Sequence, residues 1–189
     1  MFLNRFKFYF NLFTLRNKLK KTKLILIDFD GVLTDGYIYL SNDFSSLRKF
    51  NVKDGLGIKL LNKASIKVGC ITGSSSEIVK KRCKNLNIEI VELGVEDKAK
   101  ALMKITKNLK IERENILFLG DDVNDLPVLK YVNLFIVPND AHAACKKKAS
   151  YISKFNGGNG FIREIADLVL ISKGKKPFDE FRTRNEYAD

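Results

Sequence analysis

The stretch Leu24-Ile25-Leu26-Ile27-Asp28-Phe29-Asp30-Gly31-Val32-Leu33-Thr34-Asp35-Gly36 decides the fold. Four β-prone apolar residues run directly into two carboxylates and a glycine. Leu24 to Ile27 leave no polar face, so the run reads as a strand buried on both sides, as in a parallel sheet. Asp28 and Asp30 then stand at its carboxyl end, where ligands bind in open α/β sheets. Residues two apart in extended chain point to the same side. Two such carboxylates repel unless a cation lies between them or one stays protonated. The plain alternative is a strand end that turns on Asp and Gly.

Downstream, Tyr37 to Leu40 and Leu47 to Val52 are short β-prone runs around the turn-rich segment 41–46. They predict a β-hairpin over 37–52, projecting beyond the first strand. Asp54 is the expected cap of a helix carrying Ile58, Leu60 and Leu61. Strand and helix patterns then alternate. Strands are expected at Ile66–Thr72, Ile88–Val91, Asn115–Gly120, Leu134–Val137 and Tyr151–Ile152. Helices are expected at Glu77–Leu86, Glu96–Leu109, Val123–Lys130, Ala141–Lys148 and Phe161–Ile171. On Glu96–Leu109 the inward face reads Ala99, Leu102, Thr106 and Leu109. Repeated βα units with short loops imply an α/β fold with a Rossmann-like, doubly wound parallel sheet.

The chain has 189 residues, enough for one domain with a full core. It divides into an extension (1–23), the α/β domain (24–172) and a polar tail (173–189). Phe2, Phe6, Tyr9, Phe10 and Phe13 recur at helical spacing between basic residues. That predicts an amphipathic helix on the domain or a neighbouring subunit, with a membrane-surface helix as the alternative. Interrupting charges exclude a transmembrane span, and neither an apolar h-region nor a cleavage site for a signal peptide is visible. Cys70, Cys83 and Cys145 have no metal-ligand spacing and read as reduced core residues of a cytoplasmic protein. The net charge of +12 favours anionic partners. The lysines form no aromatic-interleaved patch, and no nucleic-acid module is visible.

Two further strand ends carry polar residues. Ile71-Thr72-Gly73-Ser74 offers a hydroxyl and backbone N–H groups suited to phosphate, although the same residues also cap helices. Phe118-Leu119-Gly120-Asp121-Asp122-Val123-Asn124-Asp125 is a second apolar strand ending in acids. Beside Asp28 these would repel strongly without a cation, and hard oxygen ligands fit Mg²⁺. Lys98 opens the preceding helix; beside Asp97, it also reads as half of a solvated salt pair.

Together DFDGV (28–32), ITGS (71–74), Lys98 and GDDVND (120–125) resemble the motifs of the haloacid dehalogenase-like phosphohydrolases, in order. The resemblance implies that Asp28 attacks phosphorus and becomes an aspartyl phosphate. Asp30 protonates the leaving oxygen and then activates water. Thr72 and Lys98 hold the phosphoryl group, and Mg²⁺ is bound by Asp28, Asp121 and the backbone carbonyl of Asp30. Gly73, Ser74, Lys53 and Asn159 are expected on the phosphate or the rest of the substrate.

FNVKDGLGIKLL, GVEDKAKAL, NDAHAAC and GGNGFIREIADLVL are similar to the 3-deoxy-D-manno-octulosonate 8-phosphate phosphatase group. That group includes relatives acting on nine-carbon sugar-acid 9-phosphates. It implies a capless enzyme for an acidic sugar phosphate, usually homotetrameric, with hairpins assembled centrally. The expected partners are therefore the sugar phosphate and further copies of the chain, without nucleic acid or stable membrane insertion. Two positions depart from the group. Ser74 stands where the octulosonate enzymes often have Arg, and Asn159 where they often have Arg or Lys. His142 is expected at a helix start, in a structural role. A polynucleotide-end phosphatase and a non-catalytic binding domain on the same fold are the competing readings.

Overall fold

In the computed structural model Leu24–Ile27 forms strand β1, with all four residues buried. The structure describes residues 13, 15–42 and 46–176. Helix α1, seen over residues 15–21, precedes β1. Then follow β2 (Tyr39–Leu40), β3 (Ser46–Leu47), α2 (Val52–Lys63), β4 (Lys67–Ile71), α3 (Glu77–Asn85) and β5 (Ile90–Glu92). The second half holds α4 (Lys98–Leu109), β6 (Ile116–Leu119), a 3₁₀ helix (Val123–Tyr131), β7 (Leu134–Val137), α5 (Ala143–Lys148), β8 (Tyr151–Ile152) and α6 (Phe161–Ser172).

Six strands form one sheet in the order β5-β4-β1-β6-β7-β8, and every pairing is parallel. Alternate residues of β1 face opposite layers, as strand geometry demands. Ile25 and Ile27 pack with residues of α1, α2, α3 and α6; Leu24 and Leu26 pack with α4, the 3₁₀ helix and α5. This is the expected doubly wound sheet. Cys70, Cys83 and Cys145 are free and buried, as expected.

Several boundaries differ from the sequence reading, each for a local reason. The hairpin ladder is short, pairing Tyr39 with Leu47 and Leu40 with Ser46, plus a bridge between Thr34 and Phe50. Val52 belongs to α2, because the Asn51 side chain accepts from Lys53 N–H and ends the extended run. Asp54 is thus not the cap of its own helix. It is buried in the first turn and accepts from the Gly160 and Arg163 amides at 3.0 and 2.9 Å, so it caps α6 from a distance. Strand β5 lies two residues later at its start than expected, at Ile90. On α4 the buried face is Lys98, Ala99, Leu102 and Ile105; Thr106 and Leu109 are half-buried. Residues 123–131 form 3₁₀ rather than α-helix; Pro127 lies inside and lacks the N–H an α-helix would use. His142 does cap α5, accepting from Ala144 N–H.

On α1 it is Leu15 and Leu19, one helical turn apart, that enter the core, while Phe13 is 79% exposed. The other N-terminal aromatics, Phe44 in the hairpin turn and residues 177–189 lie outside the described residues. No helix among the described residues is long and apolar enough to cross a membrane.

Removing the Asp54 carboxylate strands two amides at the start of α6. Asp54→Ala is expected to lower stability by about 1–3 kcal/mol. In urea this reads as a lower midpoint with an unchanged slope; an unchanged midpoint would refute the capping role.

Candidate active site

Strands β1 and β6 are neighbours, but their chains leave in opposite directions along the sheet, β1 towards β4 and β6 towards β7. A crevice opens at such a switch point, beyond the carboxyl ends of the strands. Asp28 follows β1 there, held by its N–H to the Leu119 carbonyl (2.9 Å). Asp121 follows β6 after Gly120. Phe29 turns into the core and is fully buried. The chain then folds back, Leu33 and Thr34 donating to the Phe29 carbonyl. Gly31 makes this turn with φ +86°, and a Cβ there would lie 2.1 Å from Asp121 Oδ2. Only glycine fits that contact.

Lys98 reaches the crevice from the first turn of α4 and is 2% exposed. Its ammonium lies 2.8 Å from Asp28 Oδ1 and 2.7 Å from Asp125 Oδ1. A charge so deeply buried needs partners, and these two carboxylates supply them. Asp97 instead caps α4 through Lys100 N–H, which overturns the surface salt pair. Burial works against the Lys98 charge, but Asp28 and Asp125 outweigh it and hold the ammonium above the ordinary lysine range.

Asp28, Asp121 and Asp125 have oxygens within 4.8 Å of one another. Their hydrogen bonds tell them apart. Asp125 is saturated: one oxygen meets Lys98 and the other accepts from the Asp121 and Asp122 amides at 2.9 and 3.3 Å. Asp121 is the opposite case, with a buried Oδ1 that has no hydrogen-bond partner. Burial, then Asp28 and Asp125, push the Asp121 carboxyl up to about 8. Burial and Asp125 raise Asp28 to about 6, against the pull of Lys98. Three carboxylates face one ammonium, so full ionisation leaves two uncompensated charges in a largely buried cluster. An unpartnered buried oxygen, hard carboxylate donors and that deficit together suit a divalent cation of the Mg²⁺ kind, on Asp28 and Asp121 with Asp125 in support.

Asp30 stands apart from this cluster. Its carboxylate accepts from Arg48 Nε (Oδ1, 2.8 Å) and Nη2 (Oδ2, 3.4 Å) and from the Thr34 hydroxyl (3.3 Å). Thr72 is buried just past β4, the strand beside β1, and its hydroxyl oxygen accepts from Ser74 N–H at 3.1 Å. Gly73 is exposed in the following loop. Lys53 and Asn159 line a separate cleft of about 400 Å³ with Lys154, Phe155 and Arg163. Gly157 and Gly158, which precede Asn159 in the chain, pack on the Gly31 and Thr34 backbone. The structure thus gathers Asp28, Lys98 and Asp121 and sets Lys53 and Asn159 to one side.

Two residues were missed. Asp125 was visible only as one acid of a run; its spacing from Asp122, which lets each side chain accept from the other's amide, was the available signal. Arg48 lay in the predicted hairpin and received no role.

A family model described as haloacid dehalogenase-like hydrolase matches residues 58–165. The 3-deoxy-D-manno-octulosonate 8-phosphate phosphatase of Escherichia coli K12 is 38% identical over 158 residues, 84% of each chain. The corresponding phosphatase of Moraxella catarrhalis, solved with magnesium, phosphate and KDO, superposes with TM-score 0.85 at 34% identity, covering 91% of this chain and 98% of that one. The cobalt-bound deoxy-D-mannose-octulosonate 8-phosphate phosphatase of Haemophilus influenzae gives TM-score 0.82 at 32% identity, over 91% and 99%. The chain belongs to the haloacid dehalogenase-like hydrolase family.

The raised carboxyl groups fix a sign for pH dependence. Without a cation, folded Asp28 and Asp121 keep protons to about 6 and 8 that the unfolded chain releases near its ordinary 3.8. The folded state binds more protons across that window, so these groups cost stability progressively as pH rises through it. A divalent cation replaces those protons. Mg²⁺ should therefore raise the melting temperature more at pH 8 than at pH 6, as read by thermal unfolding with Mg²⁺ against EDTA. Asp121→Asn should shrink the increment. A pH-independent increment would mean that protons and cation do not compete.

Proposed function

We propose that this chain is a Mg²⁺-dependent phosphatase of an acidic sugar phosphate, acting through an aspartyl phosphate on Asp28. The observation that carries the reading is the buried Asp28–Lys98–Asp125 chain beside the unpartnered Asp121 oxygen. The phosphatase names of the similar proteins support the same substrate class. The first substrate to test is 3-deoxy-D-manno-octulosonate 8-phosphate. A nine-carbon sugar-acid 9-phosphate is the second reading, favoured by neutral Ser74 and Asn159 at positions where octulosonate enzymes often carry cations.

The chemistry follows from the contacts. An Asp28 oxygen attacks phosphorus, the bond from phosphorus to the sugar oxygen breaks, and Asp30 gives its proton to that oxygen. Water then attacks phosphorus, Asp30 takes its proton, and the bond to Asp28 breaks to release inorganic phosphate. Lys98, already against Asp28, offsets charge on the transferring group without needing to move in. The Thr72 hydroxyl and the Gly73 amide are the donors for the phosphoryl oxygens, while the Ser74 amide holds the Thr72 hydroxyl oxygen. Asp28, Asp121 and the Asp30 carbonyl would hold Mg²⁺, which would supply positive charge where two anions must meet. Asp28→Asn should keep the fold and fall below about a hundredth of wild-type turnover. Phosphate release above that level, from a protein that keeps its melting temperature, would rule out the covalent route.

The hairpin bears on assembly. Tyr37, Ile38, Tyr39, Leu40 and Leu47 are all exposed, Leu40 by 71%. A two-stranded ribbon cannot bury such a set by itself. Phe50 is different: its ring meets Phe29 edge-on at 5.8 Å and belongs to the domain. Our reading is a homo-oligomer, a tetramer in the first instance, joined through the ribbons. Replacing Ile38, Leu40 and Leu47 together by Ser should give smaller species in light scattering and impaired turnover of the sugar phosphate. A monomeric wild-type protein at micromolar concentration would remove this part of the reading.

A further inference from the structure

We propose that Arg48 is a positioning residue for proton transfer, fixing Asp30 from the hairpin so that the order of the hairpin becomes the order of the acid–base group. The inference rests on the phosphatase reading above.

Asp30 follows the last strand position of β1 by three residues, in a turn rather than in the sheet, so the ladder does not set its side chain. Thr34 contributes one hold, but Thr34 belongs to the same turn; its hydroxyl oxygen also accepts from the Gly31 and Gly36 amides at 3.2 and 3.1 Å. Arg48 comes from outside the turn. Its guanidinium spans both Asp30 oxygens, and its side chain is only 6% exposed. A two-point fork fixes both the distance and the plane of a carboxylate, which a single ammonium cannot do.

The neighbours of Arg48 give this fork its meaning. On one side Phe50 is anchored: it bridges Thr34, meets Phe29, and has the Arg82 guanidinium 4.7 Å from its ring centre. On the other side Ser46 and Leu47 belong to the exposed ribbon. Arg48 therefore stands at the joint between the fixed base of the hairpin and its free part. Two further contacts tie the ribbon to the same turn. Tyr39 Oη donates to Asp35 at 2.9 Å, and Lys49 lies 3.8 Å from that carboxylate oxygen. Ordering of the ribbon passes to Asp30 through these contacts, with Arg48 the one that touches it.

Asp30 acts twice, giving a proton to the leaving oxygen and then taking one from water. The two steps separate by leaving group. A nitrophenyl phosphate leaves without a proton, so formation of its phosphoenzyme bypasses Asp30, whereas release of phosphate from Asp28 does not. Arg48→Met should therefore lower kcat for nitrophenyl phosphate about tenfold to a hundredfold, the cost of a small misplacement. KM should fall with it, leaving kcat/KM within about threefold of wild type and a burst of nitrophenol near one per chain. For the sugar phosphate, a poor leaving group, kcat/KM should fall too. Arg48→Lys should recover part of the loss, and adding Arg48→Met to Asp30→Asn should cost little more.

Equal loss of kcat/KM on both substrates would make Arg48 a substrate contact or a general structural prop and overturn the inference. Wild-type rates, or losses that add fully to those of Asp30→Asn, would overturn it as well. If Arg48→Met does not fold, Arg48→Lys and Arg48→Gln carry the same comparison. A wild-type enzyme inert on every phosphate ester with Mg²⁺ would remove the phosphatase reading, and this inference with it. An active wild type with an unaffected Arg48→Met removes the inference alone.

Discussion

One buried ammonium, Lys98, holds together carboxylates that would otherwise force the crevice apart. Asp28 comes from the end of β1 and Asp125 from the 3₁₀ helix after β6, so the pair of contacts ties two limbs of the sheet. Such a bridge is a poor source of net stability, because desolvating the charges offsets most of their attraction. Breaking it is another matter. An uncompensated charge at this depth costs about 3–5 kcal/mol, a large part of the 5–15 kcal/mol that typically separates folded from unfolded. The arrangement makes sense if the sheet must present several carboxylates together at a largely buried place. A reaction between two anions is such a reason.

Asp28, Asp30, Asp121 and Asp125 are told apart by their surroundings. Asp125 has its oxygens fully engaged and works by orientation, fixing Lys98 and the backbone on which Asp121 stands. Asp121 keeps a free oxygen and is raised by burial to about 8, which marks it for a ligand stronger than water. Asp28 shares Lys98 yet keeps its other oxygen clear of that contact. Asp30 takes a guanidinium instead of an ammonium, outside the cluster. Identical side chains two to four residues apart thus differ in what their neighbours leave unsatisfied.

The parallel sheet was legible because its central strands are buried on both faces and therefore uniformly apolar, as in Leu24–Ile27, Ile116–Leu119 and Leu134–Val137. Candidate site residues were legible where a strand ended abruptly in acids. Lys98 was ambiguous for a physical reason: helix-start lysines are common, and which way one points depends on the turn of the helix. Here the buried positions 98, 102 and 105 share a face, so Lys98 continues the apolar stripe inward. Asp54 misled because its carboxylate serves a helix more than a hundred residues away, a partnership no local window contains. The 3₁₀ helix was missed because Pro127 was not weighed against the apolar spacing around it.

Arg48 is the instructive omission, because strand periodicity contained the clue. From Ser46 to Phe50 exposure alternates residue by residue, the signature of side chains on opposite sides of an extended run. Lys49 and Asn51 then share one side, while Arg48 and Phe50 share the other. Phe50 is the only aromatic of that run, and an aromatic at the base of a ribbon packs against the body it springs from. It does so on Phe29, between the two acids of the first motif. A cation two residues earlier on the same side is directed at the same turn. Arg48 accordingly reaches Asp30 while Lys49 stays exposed at the rim. The alternation that marks a strand also marks which of two neighbouring cations reaches Asp30 and which lies out at Asp35.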